Sequence, residues 1–274
     1  MSSFEWNKII ASVLTAMIVA MVTGVVAQGI VHPVRLEKPA YVPPGAEAGA
    51  APAEANAGRP AGSARLVAVS KMVAAADILA ALAAGQQVFG ESYGQEFRDK
   101  RVEVETAAQA AGLPQPLWHF IGPLQTNKVK YVVGNVALIH SIEAGDVLAE
   151  FERRVAALKP ATPQDCLIQV NVAGETQKHG VPPTALPALL ASFAQLNHLR
   201  CTGLMVMPPF SDDPEASRPH FTALRRLRDE QAGVTRANVN LTELSMGMSH
   251  DLEVAVAEGA TLVRVGTAIF GERQ

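Results

Sequence analysis

A regular alternation of short β-type runs and amphipathic helical stretches constrains the fold of this chain more than any other sequence feature. It extends from Arg65 to Gly271 in a chain of 274 residues. In one of the helical stretches, for example, a single helical face carries Leu186, Leu189, Leu190 and Phe193. Such alternation predicts right-handed βαβ units and a parallel sheet. Eight runs predict strands, at residues 66–70, 87–90, 117–122, 137–141, 166–172, 201–207, 241–246 and 261–266.

Eight βα units close naturally into a (β/α)8 barrel of the TIM type, which is an α/β fold. The main rival is a doubly wound open sheet, which typically carries a GxGxxG turn after its first strand. No such turn comes after the first run of this sequence. We therefore predict the barrel, with its functional site at the carboxyl ends of the strands.

Composition argues against several classes of function. The net charge of −3 and the aromatic content of 5% provide no basic surface for a nucleic acid. The two cysteines, Cys166 and Cys201, lie in apolar runs and form no CxxC motif. We expect two buried, reduced thiols, and we predict neither a metal site nor a covalent haem.

Residues 9–31 carry no charged side chain, over a length sufficient for the roughly 20 residues that cross a bilayer. We predict a single transmembrane helix there. A cleavable signal peptide is the alternative, with its cleavage site at residues 25–27. More positive charges follow the segment (Arg35 and Lys38) than precede it (Lys8). This difference favours a cytoplasmic location for the rest of the chain.

The N-terminal region also resembles a known anchor. Its segments MSSFEWNKI and HPVRLEKPAYV are similar to the anchor of membrane-bound bacterial c-type cytochromes. In that family the anchor exports the domain attached to its C-terminal end, which is the opposite orientation, and this sequence has no haem-binding domain there. Residues 43–64 are rich in Ala, Gly and Pro, which predicts a flexible linker. The predicted organisation is an anchor (1–42), a linker (43–64) and a barrel (65–274).

Lys71 comes directly after the first predicted strand, LVAVS, at the expected mouth of the barrel. Desolvation at an apolar barrel mouth favours a neutral lysine amine, which is the form that carries out Schiff-base chemistry. A lysine at the end of a strand is also commonly just a solvated charge. The position of Lys71 therefore indicates a covalent site only together with further evidence.

Two turns come after the last two predicted strands. The first, SMGMSHD, contains Ser245 and Ser249, and the second, GTAIFG, begins with Gly266 and Thr267. Backbone N–H groups in such turns bind anions, and barrels often hold a phosphate after strands seven and eight. Each turn taken alone is equally explained by helix capping. Their joint position favours a phosphate site.

Arg264 lies within the last predicted strand, on the same face as Leu262 and Gly266. A charged side chain inside a core strand requires a partner. The ring nitrogen of a bound cofactor would serve. A salt bridge to Glu91 or Glu243 is the structural alternative.

Eight sequence blocks resemble the pyridoxal phosphate homeostasis protein family, in order and with plausible spacing, from about Arg65 to Arg273. They are LVAVSK, FGESYGQE, WHFIGPLQTNK, IHSIE, LIQVNVAGETQKHG, GLMVMPP, LSMGMSHD and VRVGTAIFGER. The resemblance implies a barrel like the N-terminal domain of alanine racemase without its second, β-rich domain. Proteins of this family are expected to be soluble and cytoplasmic.

The resemblance also implies a cofactor and its ligands. Lys71 would form an aldimine with pyridoxal 5′-phosphate (PLP), and Arg264 would face the pyridine nitrogen and keep it unprotonated, which weakens the ring as an electron sink. Such a protein would carry or buffer PLP, and pass it to apo PLP-dependent enzymes, without robust turnover. The phosphate would be held by Ser245, Ser249, Gly266 and Thr267. Further residues that could line the cofactor are Glu91, Ser92, His119, Asn171, Met205, Met246 and Gly247.

The sequence departs from the family at Ser92, where Asn is usual. The helix that normally precedes the first strand is expected to be truncated, because only residues 53–59 resemble its end. Two other functions stay open. An amino-acid racemase would need a second proton-transfer group, for which His119, Tyr93 and Cys201 are candidates. A cofactor-free aldolase would use Lys71 directly on a sugar phosphate.

Overall fold

The computed structural model describes residues 51–143, 145–175 and 179–272, and within them eight parallel strands form a closed barrel in chain order. The predicted (β/α)8 barrel is therefore confirmed. Strand β1 pairs with both β2 and β8, and the second pairing closes the barrel. The strands are β1 (Arg65–Val69), β2 (Val88–Glu91), β3 (Leu117–Phe120), β4 (Leu138–Ile142), β5 (Gln164–Gln169), β6 (Leu199–Met205), β7 (Val239–Ser245) and β8 (Leu262–Val265).

Helices surround the barrel, and an α-helix lies in each connection between successive strands. Three short 3₁₀ turns, Thr126–Lys128, Pro183–Ala185 and Pro214–Ser217, precede helices in the described part of the chain. The α-helices of that part are α1 (Ala51–Asn56), α2 (Ala75–Ala83), α3 (Gly94–Ala110), α4 (Val129–Val132), α5 (Gly145–Leu158), α6 (Leu186–Phe193), α7 (Arg218–Ala232), α8 (Leu252–Ala257) and α9 (Thr267–Phe270).

Apolar side chains form two layers because successive residues of a strand point to opposite sides of the sheet. The larger layer lies between the strands and the helices, where Phe89 of β2 and Phe97 of α3 both pack against Trp118. The smaller layer fills the inside of the barrel. Its buried members are Val67, Leu138, Leu167, Met205 and Leu262.

Residues 51–64 fold against the barrel, although they fall within the predicted linker. Helix α1 packs on α8, and Ala53 and Ala64 are both buried in the core. Arg59 donates hydrogen bonds to the carbonyl oxygens of Val256 (2.8 Å) and Ala260 (2.7 Å) at the end of α8. The linker prediction is therefore wrong for this part. The alanine-rich composition did not distinguish the two cases, because alanine is common in linkers and also packs closely in a core.

The carboxylate of Glu54 holds the same segment in place. It is 1% exposed and accepts hydrogen bonds from the N–H of Gly62 (2.9 Å), the hydroxyl of Ser63 (3.2 Å) and the N–H of Ala64. These bonds fold the chain between α1 and β1 back onto the helix. A short helix, α1, therefore precedes the first strand, and it overlaps the segment 53–59 that the sequence indicated as the end of a helix.

The predicted transmembrane helix at residues 9–31 and the anchor resemblance over 1–42 lie outside the described residues, as does the linker up to residue 50. In the parts of the chain that the structure describes, no helix has both the length and the hydropathy needed to span a bilayer.

Candidate functional site

Lys71 lies in the tight turn between β1 and α2, at the carboxyl end of its strand as predicted. Its side chain is half-buried. The next residue, Met72, has a φ of +57°, a backbone conformation that residues other than glycine rarely adopt. The side chain of Met72 is 59% exposed, so burial does not compensate for this strain. Lys71 is thus presented at the barrel mouth by a strained turn.

A chain of polar side chains runs through the inside of the barrel. Arg264 donates hydrogen bonds to the hydroxyl of Ser245 (2.6 Å) and to the carbonyl oxygen of Val206 (2.9 Å). The Ser245 hydroxyl lies 2.8 Å from Nδ1 of His140, and Nε2 of His140 lies 3.0 Å from Nδ1 of His119. All four of these side chains are buried. They connect β8, β7, β4 and β3 across the interior.

Burial sets the charges along this interior chain. It lowers the pKa of His119 to about 3, with a smaller contribution from Arg65, and it lowers the pKa of His140 well below the ordinary value. Burial also lowers the pKa of Arg264 to about 10. At neutral pH the two imidazoles are therefore neutral, while the guanidinium stays charged.

The protonation states imply a direction for the hydrogen bonds. Arg264 can only donate to Ser245, and the Ser245 hydroxyl then has a proton to donate to Nδ1 of His140. Nε2 of His140 consequently carries the ring proton and donates to His119. The bonds of the interior chain therefore point from the charged guanidinium toward the neutral histidines.

The salt-bridge alternative for Arg264 is wrong, because both candidate carboxylates are engaged elsewhere. Glu243 pairs with Arg65. Glu91 accepts from the hydroxyl of Ser70 (2.7 Å) and from Lys100 of α3 (3.0 Å). Within the described residues, Arg264 forms no ion pair.

Glu91 is also displaced from its predicted place at the cofactor. It shares its strand face with Phe89, which packs outward against Trp118, as Phe97 of α3 does. Its carboxyl is therefore directed between the sheet and the helix rather than into the mouth, and burial raises its pKa. Met246 is likewise buried in the outer layer with Leu244, so the expectation that it lines the cofactor is wrong.

The turn after β7 is built around a buried carboxylate. Asp251 accepts hydrogen bonds from the N–H of Met248 (2.7 Å) and the hydroxyl of Ser217 (2.8 Å). Gly247 has a φ of +92°, and a Cβ there would lie 2.5 Å from the Cβ of Ala255. Only glycine fits this close approach. Ser249 lies half-buried in the same turn.

The predicted phosphate residues divide into two groups. Ser249 belongs to the turn after β7, and Gly266 and Thr267 open the short helix α9 after β8, with Gly266 buried and Thr267 exposed. Ser245 is instead the last residue of β7, and its hydroxyl is bonded inside the barrel. A phosphate role for Ser249, Gly266 and Thr267 stays a prediction, and the same role for Ser245 competes with its bonds to Arg264 and His140.

The other candidate residues lie in different parts of the barrel. Met205 belongs to the inner apolar layer. The side-chain amide of Asn171 donates to the carbonyl oxygen of Glu175 (2.7 Å), just beyond β5. Ser92, directly after β2, is half-buried, with its backbone against Gly122.

His140, which the sequence reasoning missed, is central to the interior chain. Its imidazole bonds to both Ser245 and His119. All five residues of β4 are buried, so this strand shows no alternation of polar and apolar positions that would single out the histidine.

Known proteins share this sequence over nearly all of the barrel. Residues 54–274 match the family model described as alanine racemase, N-terminal domain. The pyridoxal phosphate homeostasis protein of Aquifex aeolicus is 45% identical over 219 residues, which are 80% of this chain and 91% of that protein. That of Pseudomonas aeruginosa is 42% identical over 218 residues, covering 79% and 88%. This chain belongs to the pyridoxal phosphate homeostasis protein family.

Solved structures give the same result for the fold. PipY of Synechococcus elongatus with PLP bound is 34% identical and superposes with a TM-score of 0.68, over 80% of this chain and 97% of that one. PipY without PLP is 35% identical and superposes with a TM-score of 0.70. Alanine racemase of Corynebacterium glutamicum shares the fold alone, at 16% identity and a TM-score of 0.55, and this chain covers 59% of it.

Proposed function

We propose that this chain binds PLP through Lys71 and carries or buffers the cofactor, as a member of the PLP homeostasis family without robust turnover. The observation that carries the proposal is the guanidinium of Arg264, buried inside the barrel and bonded to two uncharged oxygens. In the sheet, Arg264 is directly beside Val67 of β1, the strand that ends next to Lys71. A buried cation without an ion-pair partner among the described residues, on the strand that pairs with the strand preceding Lys71, fits an electron-rich ligand at the mouth.

The residues present fit PLP in three respects. Lys71 supplies an amine, Arg264 supplies N–H donors for the ring nitrogen, and the turns at Ser249 and Gly266 offer backbone N–H groups for a phosphate. When bound, PLP would supply an aldehyde group to which the Lys71 amine could link covalently, with release of water. An arginine at the ring nitrogen leaves that nitrogen unprotonated, which suits storage better than catalysis.

The racemase alternative finds no favourable geometry among its candidate acids and bases. His119 is bonded to His140 inside the barrel, and burial lowers its pKa to about 3. Cys201 is buried in the outer layer, where its pKa is raised to about 12. Tyr93 is 51% exposed and has no described contact with the interior chain. The aldolase alternative gains nothing from a family whose named members are PLP homeostasis proteins.

The test is a visible absorbance spectrum of the full-length chain, purified with and without Lys71→Ala, after addition of PLP. Lys130→Ala, which removes an exposed lysine, is the matched control. We expect a yellow protein in the wild type and the control, with the colour fixed to a Lys71-containing peptide by borohydride. A wild type that stays colourless, or an adduct that forms equally in Lys71→Ala, would refute the proposal.

We also propose that apo PLP-dependent enzymes receive PLP from this protein. The support is a covalent link that hydrolysis reverses, because water regenerates the aldehyde and the free amine. The PLP-loaded chain should activate an apo-enzyme faster than free PLP does at the concentration that the chain releases by itself. That concentration is measured by dialysis of the loaded chain alone. Equal activation rates would show that transfer proceeds only through solution.

A membrane tether at residues 9–31 is proposed from the sequence alone. The segment has no charge over a bilayer-spanning length. We expect the full-length chain to sediment with membranes and to resist extraction by alkaline carbonate, whereas a chain lacking residues 1–42 should remain in the supernatant. Equal partitioning of the two chains would exclude the tether.

A further inference from the structure

The turn that carries Lys71 is held from outside the barrel. The carbonyl oxygen of Ser70, immediately before Lys71, accepts a hydrogen bond of 2.6 Å from the ammonium of Lys100. The N–H of Met72, immediately after Lys71, donates a hydrogen bond of 2.6 Å to the carboxylate of Glu96. Both backbone neighbours of Lys71 are therefore fixed by side chains of a single helix, α3.

These two side chains also bind each other. Lys100 and Glu96 are one helical turn apart and form an ion pair through the same carboxylate oxygen that holds Met72. Lys100 makes a second ion pair of 3.0 Å with Glu91 of β2. Glu91 in turn accepts from the hydroxyl of Ser70. The cluster thus links the end of β1, the end of β2 and the first turns of α3.

Stability alone does not account for this cluster. Burying an ion pair removes both charges from water, which commonly costs as much as the attraction returns. Lys100 is 9% exposed and Glu91 is fully buried, and the second carboxylate oxygen of Glu91 has no hydrogen-bond partner among the described residues. The cluster also maintains the left-handed backbone of Met72, whose side chain is exposed. Backbone strain maintained by costly polar groups is typical of a functional site.

We propose that Lys100 and Glu96 are positioning residues for Lys71. They keep its backbone in the strained turn, so that the amine meets the PLP aldehyde without a prior rearrangement of the chain. This inference rests on the proposed function, because it assumes that Lys71 is the residue that PLP modifies. It assigns a role to two side chains of α3 that hold the backbone on either side of Lys71.

The test compares four variants of the full-length chain by PLP titration. Glu96→Ala removes the acceptor for Met72, whereas Glu96→Gln retains an acceptor oxygen, and Lys100→Met removes the bond to Ser70. Arg101→Met is the control, because Arg101 forms an ion pair of 2.7 Å with Glu105 on the same helix and at the same spacing. We expect Glu96→Ala and Lys100→Met to weaken PLP binding about tenfold, the effect of one lost hydrogen bond. Glu96→Gln should recover much of the loss, and the control should match the wild type.

Two readouts separate positioning from a general loss of stability. The first is the thermal midpoint without PLP, which a merely structural role would lower in proportion to the lost affinity. The second is the pH midpoint of the visible band of the bound chromophore, which should shift in Glu96→Ala but not in Arg101→Met. Since Glu96 is partly exposed, Glu96→Ala is expected to fold even if Lys100→Met does not.

The outcomes are distinguishable. Weaker binding with a shifted pH midpoint in Glu96→Ala, reversed in Glu96→Gln, supports positioning. Wild-type affinity and an unchanged pH midpoint in Glu96→Ala overturn it, while the proposed function stands. A wild type in which borohydride fixes no PLP on Lys71 overturns the proposed function itself, and the role of these two residues falls with it.

Discussion

Arg264 donates its 2.6 Å hydrogen bond to the hydroxyl of Ser245 and not to a carboxylate, although both residues are buried inside the barrel. The serine is itself bonded to His140, whose neutral ring cannot compensate the charge of the guanidinium. An arginine in this environment keeps its positive charge without a direct ion-pair partner among the described residues, although the buried carboxylate of Asp251 acts on it and opposes the effect of burial, which lowers its pKa. A buried charged guanidinium of this kind suits a group that must present N–H donors to a ligand.

Replacing Arg264 with leucine should weaken PLP binding about ten- to hundredfold, which corresponds to the loss of one charged hydrogen bond. The visible band of the bound cofactor should also shift, because the ring nitrogen loses its donor. Affinity and spectrum are measured by titration of the full-length chain. Arg200→Leu is the control, since Arg200 pairs with Asp165 at the protein surface. If both variants bind PLP as the wild type does, Arg264 is not a cofactor ligand.

The two buried histidines predict how stability depends on pH. Their folded-state pKa values lie below the ordinary 6.5, so the unfolded chain binds more protons as the pH falls below that value. The contribution of the two histidines to the free energy of unfolding is therefore fully present above about pH 6.5. It decreases toward acid, by about 1.4 kcal/mol per pH unit for each histidine. For His119 the loss continues down to its pKa of about 3.

The measurement is the free energy of unfolding by urea at pH 7.5, 6.5 and 5.5. The double variant His119→Asn/His140→Gln should show a clearly smaller decrease between the last two values, whatever its stability at pH 7.5. His220→Gln, which changes a half-buried histidine on α7, is the control and should retain the wild-type decrease. An identical decrease in the double variant would mean that other groups cause it.

The sequence predicted the barrel well because its strands and helices have different periodicities. It placed ends less well. The fifth strand, predicted to extend to residue 172, ends at Gln169, and Val170 then forms only an isolated bridge to Val181. The apolar run alone could not show where the strand ends, because Val170 pairs with Val181, a residue that follows a loop.

The candidate site was predicted in part, for reasons that particular residues make clear. Lys71 and Arg264 were found because a charge at a strand end or within a strand is visible in the sequence. Glu91 was misplaced because its partner, Lys100, lies on a helix whose rotation around its axis the sequence does not specify. His140 was missed because both faces of its strand are buried.

The cysteines predict a chemical test of the native fold. Cys166 and Cys201 are directly opposite on β5 and β6, both fully buried. Burial raises the pKa of Cys201 to about 12 and that of Cys166 well above its ordinary value, so little thiolate exists at pH 8. We expect both to react with a disulfide reagent at least about a hundredfold more slowly than in urea, where two thiols per chain should titrate. Rapid reaction of the native protein would show that the outer layer opens.

Glu54 predicts how strongly the segment before β1 contributes to the barrel. Its buried carboxylate accepts from two backbone N–H groups and one hydroxyl, so Glu54→Ala leaves the N–H groups of Gly62 and Ala64 without their partner. The expected loss is about 1–3 kcal/mol in the free energy of unfolding, because the buried N–H of Ala64 is left unsatisfied while the N–H of the exposed Gly62 can bind water instead. Glu54→Gln keeps one acceptor oxygen and should lose less. Asp77→Ala, at an exposed position in the first turn of α2, is the control. A Glu54→Ala protein as stable as this control would show that residues 51–64 rest on the barrel without stabilising it, and the barrel would then begin at β1 as the sequence predicted.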